Sequence, residues 1–183
     1  MIGSDEGGGA KRGDRVFTPD WCAADMVSYF KPCGRRLEPF LGDGVFLRYM
    51  PDIEWCEIDK GRDFFEWKER VDWIVTNPPY SKTRRCFNHA TTIADNIVFL
   101  VPLRNVFSGY GFVREILDYG GIAAIRVYGT GGRLGFPMGN ACGAIHFQRG
   151  YRGMTVWTDQ QIETAEQGDL FRHETLGDAE VSR

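Results

Sequence analysis

Apolar residues along this chain fall into short blocks, and the spacing within a block is of two kinds. Residues 23–30, 82–94 and 111–119 place their apolar side chains at helical intervals. Residues 37–40, 53–58, 73–76, 97–102, 122–128 and 142–148 are nearly continuous apolar runs bounded by polar residues, glycine or proline, and predict buried strands. Asp20 is placed to cap the first helix, and Gly120 with Gly121 to end the third. Helices that separate buried strands predict an α/β fold, a mostly parallel central sheet with helices on both faces. Ligands of such sheets bind at the carboxyl ends of the strands. The informative segments are therefore those just after Phe40, Ile58, Thr76 and Pro102.

Composition refines this picture. The length of 183 residues suits one folded domain. It is expected over residues 14–157, behind a polar, glycine-rich arm at 1–13. Residues 158–183 carry seven acids against two arginines. They predict an acidic, partly disordered tail and leave the rest of the chain slightly basic although the net charge is −3. No apolar run is long enough for a membrane span, and the first residues do not read as a signal peptide, so a cytoplasmic location is expected. Cys22, Cys33, Cys56, Cys86 and Cys142 include no CxxC pair, which favours reduced thiols. His89, His146 and His173 lack metal-ligand spacing, and no metal is expected. Aromatics make up 14% of the chain and glycines number 23, which serves a dense core or a flat ring ligand equally well.

Four segments at predicted strand ends carry candidate chemistry. In Glu38-Pro39-Phe40-Leu41-Gly42-Asp43-Gly44, the two glycines allow a tight strand-to-helix turn with exposed N–H groups. Glu57-Ile58-Asp59 sets an acid where a ribose would offer two hydroxyls. Asp63-Phe64 pairs a carboxylate with a ring, which suits the amine and face of an adenine. Asn77-Pro78-Pro79-Tyr80 ends a buried strand. Its two prolines fix the backbone and remove two donors. The Asn77 amide oxygen and the Pro78 carbonyl can then accept both hydrogens of a planar amine while Tyr80 stacks on its ring.

Together these motifs resemble those of the AdoMet-dependent amino-methyltransferases, in particular the N6-adenine DNA methyltransferases, over roughly residues 15–150. Phe17-Thr18-Pro19 resembles their N-terminal cofactor motif and residues 38–44 their glycine-rich motif. Glu57-Ile58-Asp59 resembles the ribose-binding motif, Asp63-Phe64 the adenine-binding pair, and residues 99–103 the strand that follows the catalytic loop. Asn77-Pro78-Pro79-Tyr80 matches the catalytic tetrapeptide in full. The resemblance implies a Rossmann-like class I methyltransferase fold and S-adenosyl-L-methionine as cofactor, leaving as S-adenosyl-L-homocysteine. Phe17, Thr18, Glu38, Phe40, Gly42, Gly44, Glu57, Ile58, Asp63 and Phe64 would hold it. Asn77, Pro78, Pro79 and Tyr80 would carry the transfer.

DNA is the implied partner. Tyr80 and Phe136 would sandwich the flipped adenine, and Lys82, Arg84, Arg85 and Arg133 would meet the substrate. Arg104, Arg126, Arg149 and Arg152 would extend that basic rim. The chain departs from the family pattern in two respects. Only four residues separate Asp59 from Phe64, where a helix is usual, so Asp59 or Phe65 could serve in place of Asp63. There is also no room for a separate target-recognition domain, which leaves specificity to short loops, a partner or a homodimer. The tetrapeptide equally suits adenine in RNA or a protein glutamine amide. A non-catalytic subunit of the same fold is the remaining alternative.

Overall fold

The computed structural model describes residues 16–161. The expected arm at 1–13 and most of the expected tail lie outside them. Seven strands form one sheet in the order β2-β1-β3-β4-β6-β5-β7. They are β1 (Arg36–Glu38), β2 (Glu54–Trp55), β3 (Val71–Thr76), β4 (Ala94–Pro102), β5 (Gly120–Thr130), β6 (Ala141–Arg149) and β7 (Val156–Asp159). β1 pairs in parallel with β2 and β3, β3 with β4, and β5 with β7; β6 runs antiparallel between β4 and β5. The fold is thus α/β with a mostly parallel sheet, and the reversed β6 is the feature that the apolar pattern did not carry. β7 was also not foreseen, because its Val156 and Trp157 are exposed and give no apolar run.

The central strands alternate side chains between two cores. Ile97, Phe99 and Val101 of β4 enter one core with helices α2 (Thr83–Ile93) and α4 (Tyr110–Tyr119), through Phe87, Ala90, Phe112 and Ile116. Val98 and Leu100 enter the other with Cys22, Ala23, Met26 and Phe30 of α1 (Asp20–Phe30). A one-turn helix, α3 (Arg104–Phe107), links β4 to α4. The five cysteines are free, and all but Cys33 are buried.

Several local expectations are corrected. Asp20 lies inside the first turn of α1, not at its cap. Pro19 holds the cap position, and Asp20 instead binds Arg48 (2.7 Å) and the Tyr49 hydroxyl (2.5 Å). Gly120 begins β5 directly. A Cβ there would stand 2.0 Å from the Gln148 carbonyl, so the residue serves close strand pairing as well as helix termination. The run at 53–58 yields only the two-residue β2. After Gly42 (φ 55°) and Gly44 (φ 79°) the chain makes a single 3-10 turn (Val45–Arg48) and no full helix. Two more such turns, Ile58–Lys60 and Phe64–Glu66, replace the crossover between β2 and β3. This half of the fold is abbreviated, while the β3–β6 half is fully built.

Candidate active site

Four chain segments meet where the parallel strands end. Glu38, the last residue of β1, is buried, and its Oε1 accepts from the Phe40 N–H (3.0 Å) and the Thr76 hydroxyl. That bond ties β1 to the last residue of β3, immediately before Asn77. The second carboxyl oxygen, Oε2, is buried with no hydrogen-bond partner. Burial pushes the Glu38 carboxyl up to about 8, against the opposing pull of its bonds to Thr76 and Phe40. Unmatched buried carboxyl oxygens are rare, and a cationic group beside this one would satisfy it.

The glycine turn is held from the next strand. Glu57 Oε2 accepts from the Gly42 N–H (3.1 Å), and its Oε1 accepts from the Asp59 N–H (3.4 Å). Each oxygen keeps a lone pair for a further donor. Both glycines adopt left-handed backbone, and a Cβ at Gly42 would touch the Phe17 ring at 3.5 Å. Phe17 is 58% exposed and Ile58 63% exposed, while Thr18, between Phe17 and α1, is buried. Apolar rings and chains left open to water beside a glycine turn are what a flat ligand would cover.

The Asn77-Pro78-Pro79-Tyr80 tetrapeptide follows β3. Asn77 Nδ2 donates to the Val16 carbonyl (2.9 Å), which fixes the amide and leaves Oδ1 as its acceptor. Pro78 and Pro79 offer no N–H. The turn they open is closed by the Lys82 N–H bonding to the Pro79 carbonyl (2.9 Å), a bond that does not involve the Pro78 carbonyl. The Tyr80 carbonyl accepts from the Thr83 hydroxyl (2.9 Å) and from Asn105 Nδ2 (3.1 Å). Val16 and Asn105 are positioning residues that the sequence did not single out. Asn105 follows the Pro102 strand end by three residues, which is the only signal that marked its neighbourhood.

Other expected residues are placed differently. Phe64 is 2% exposed and meets Phe40 (5.3 Å), Phe65 (5.5 Å) and His89 (4.7 Å) mostly edge-on, so it is a core ring and not an open platform. Asp63 caps the short turn through the Phe65 N–H (2.9 Å). Phe136 is buried with its ring 6.2 Å from that of Tyr80 and inclined by 60°, which is contact and not a parallel slot. Arg84 donates to Glu115 through Nε and one terminal nitrogen (2.9 and 2.6 Å), and the Arg85 guanidinium covers Phe65 at 4.0 Å. Arg133 is held by the Tyr128 carbonyl (3.1 Å) and Gln160 (2.8 Å) and lies over Trp21. Lys82 closes the short turn after Tyr80.

The remaining basic rim is not there as a unit. Arg126 is buried against Asp25 (2.6 and 2.8 Å), and Arg149 and Arg152 bind carbonyls and Asp95 at the opposite end of the sheet. Arg104 alone of that group lies exposed beside the tetrapeptide's end of the fold. Among the described residues no cluster of His, Cys, Asp or Glu could hold a metal ion, and no helix is long and apolar enough to cross a membrane.

Solved structures of the same architecture identify the fold as that of the class I AdoMet-dependent methyltransferases. One is the methyltransferase subunit of a type I restriction-modification system from Streptococcus thermophilus, at TM-score 0.59 and 13% identity over 82% of this chain and 48% of that one. Another is the type I restriction enzyme EcoKI M protein, at TM-score 0.57 and 16% identity over 74% and 44%. A third, from Listeria monocytogenes, is assigned to the class I S-adenosylmethionine-dependent methyltransferases and aligns at TM-score 0.54 and 10% identity over 82% and 67%. The chain spans about half the length of the restriction-modification subunits it resembles. The sequence matches no family profile, and no curated protein sequence is similar to it.

Proposed function

We propose that this chain is an AdoMet-dependent methyltransferase acting on the exocyclic N6 amine of adenine in DNA. One observation carries the reading. The Asn77 amide is anchored through its NH2 end to the Val16 carbonyl, so its oxygen is left to accept at the open end of the sheet, directly before two prolines and a tyrosine. The methyltransferase subunits among the structural neighbours support it.

The residues present fit the cofactor. Glu38 Oε2 is a buried acceptor without a donor, and a positively charged group beside it would restore the carboxylate that burial disfavours. Gly42 and Gly44 leave room for backbone approach, and Glu57 has acceptor capacity for ribose hydroxyls. Phe17 and Ile58 supply the apolar cover. Asp63 retains one carboxylate oxygen for an adenine amine, and Phe64 backs that site through Phe40. When bound, AdoMet supplies an electrophilic methyl group.

The protein's own task is to prepare the amine. An amine conjugated to a purine is a poor nucleophile. Hydrogen bonds from its two N–H groups to Asn77 Oδ1 and the Pro78 carbonyl draw it toward tetrahedral geometry, and they favour the positive charge that develops on nitrogen. Tyr80, its carbonyl held by Thr83 and Asn105, presents a ring for the base to lie on, with Phe136 against it. In a duplex the base is first flipped out, at a cost of a few kcal/mol.

Mass analysis of nucleosides tests this reading. After incubation with methyl-labelled AdoMet, labelled N6-methyladenine is expected from DNA. Label found only in RNA nucleosides, or in protein, would replace the assignment.

A further inference from the structure

Most of the arginines that sequence order placed around the substrate, Arg104 apart, are engaged within the protein: Arg84 with Glu115, Arg133 with Gln160 and Tyr128, Arg126 with Asp25, and Arg149 with Asp95. A different corner of the same end of the sheet is left open. It is built by α3 and the start of α4, directly after β4. Phe107 is 44% exposed and Tyr110 is 77% exposed. Arg104 and Arg114 are exposed, and neither side chain forms an ion pair or hydrogen bond among the described residues. Tyr110 and Arg114 are four residues apart on α4 and so share a face.

This corner is mechanically tied to the tetrapeptide. Asn105, inside α3, donates to the Tyr80 carbonyl at 3.1 Å, which joins α3 to the Tyr80 turn. Two exposed aromatic side chains flanked by two cations match a single nucleic-acid strand, whose bases stack and whose phosphates carry charge. An apolar protein partner would leave both arginines without counter-charges, and a folded core has no need of a tyrosine this exposed.

We infer that the α3–α4 corner carries the strand adjoining the target base: Phe107 and Tyr110 stack neighbouring bases, and Arg104 and Arg114 meet the phosphates. The inference rests on the proposed function only for what the target base is.

Fluorescence anisotropy with a labelled, adenine-containing single-stranded oligodeoxynucleotide tests it. Tyr110→Ala is expected to weaken binding about five- to tenfold, with Phe107→Ala similar. Tyr110 is so exposed that its removal leaves folding intact. Arg104→Ala combined with Arg114→Ala should lower the slope of log K against log salt by about 1.4, two phosphate contacts at ~0.7 each. Leu117→Ala, exposed further along α4, should change nothing. AdoMet affinity should be the same in every variant, and the methyl-acceptor KM should rise while kcat stays constant. Unchanged oligonucleotide affinity in the Tyr110 and double-arginine variants would overturn the inference, as would a wild type that binds no oligonucleotide. A wild type that binds through this corner yet methylates no DNA would support the inference and overturn the proposed function.

Discussion

Where the parallel strands begin, Asp95 accepts from Arg70 (2.6 Å) and Arg149 (2.7 Å), and Arg149 also caps the carbonyls of Thr91 and Ala94. Arg35 likewise joins Glu54 and Glu69, and Arg152 holds the Gly120 carbonyl. Where the same strands finish, a buried oxygen of Glu38 has no donor, the Asn77 amide keeps its oxygen available, and Phe17, Ile58 and Tyr110 face water. Both ends are built from the same residue types. They differ in whether hydrogen-bonding capacity is used up inside the protein. The closed end fastens β3, β4, β5 and β6 together, and the open end leaves acceptors and apolar faces that the protein itself does not use.

That contrast predicts large effects on chemistry at one end and small effects on stability at the other. Tyr80→Ala should cut methyl transfer about a hundredfold with AdoMet affinity nearly unchanged, while Tyr80→Phe, which keeps the ring, stays within a few-fold of wild type; steady-state assays separate the two. Glu57→Ala should weaken AdoMet about tenfold by isothermal titration, since it removes the proposed ribose acceptor and the bond that holds the Gly42 N–H. Unchanged affinity would take Glu57 out of the cofactor site.

Glu38 offers a test that needs no substrate. Its folded carboxyl is pushed up to about 8 from an ordinary 4.5. Between those values the native protein keeps a proton that the unfolded chain releases, so stability falls as pH rises through this window. His146, buried and stacked on Trp73, is depressed to about 4, and it costs stability as pH drops below 6.5. Burial lowers His89 as well, so only from about pH 7.5 to 8, above the titration of both histidines in the unfolded chain, does the slope read mainly Glu38. Urea titrations of the AdoMet-free protein should show stability declining by about 1 kcal/mol per pH unit there. Glu38→Gln should flatten the slope; an equally steep slope in that variant would assign it to another group. At the closed end, Asp95→Ala should lower stability by about 1 kcal/mol, or ~2–4 °C in Tm, because its ion pairs are partly exposed. Transfer rate and AdoMet affinity should not move.

Much of this could be read from the residues, for physical reasons that differ by element. β4 was legible because both of its faces are buried, which makes a continuous apolar run. β7 was not, because a half-exposed edge strand carries no such run. The order of strands along the chain implied parallel pairing, yet the reversal of β6 follows from the short 131–140 connection to β5, and an apolar pattern has no sign for direction. Asn77-Pro78-Pro79-Tyr80 could be read as a unit because prolines dictate backbone locally. Arg84 and Phe64 could not be placed, because their partners, Glu115 and His89, lie 31 and 25 residues away and only the fold brings them near. Sequence distance from the tetrapeptide was a poor guide to which cations are open. Arg84, four residues beyond Tyr80, is engaged by Glu115, while Arg104 and Arg114 are open at the surface.

The most direct test of the account is Asn77→Ala, measured twice on the same preparation. If the amide oxygen activates the amine and does nothing for the cofactor, labelled methyl transfer to adenine-containing DNA should fall by at least about a hundredfold, while AdoMet affinity by isothermal titration stays within a few-fold of wild type. Methyl transfer at the wild-type rate would contradict it.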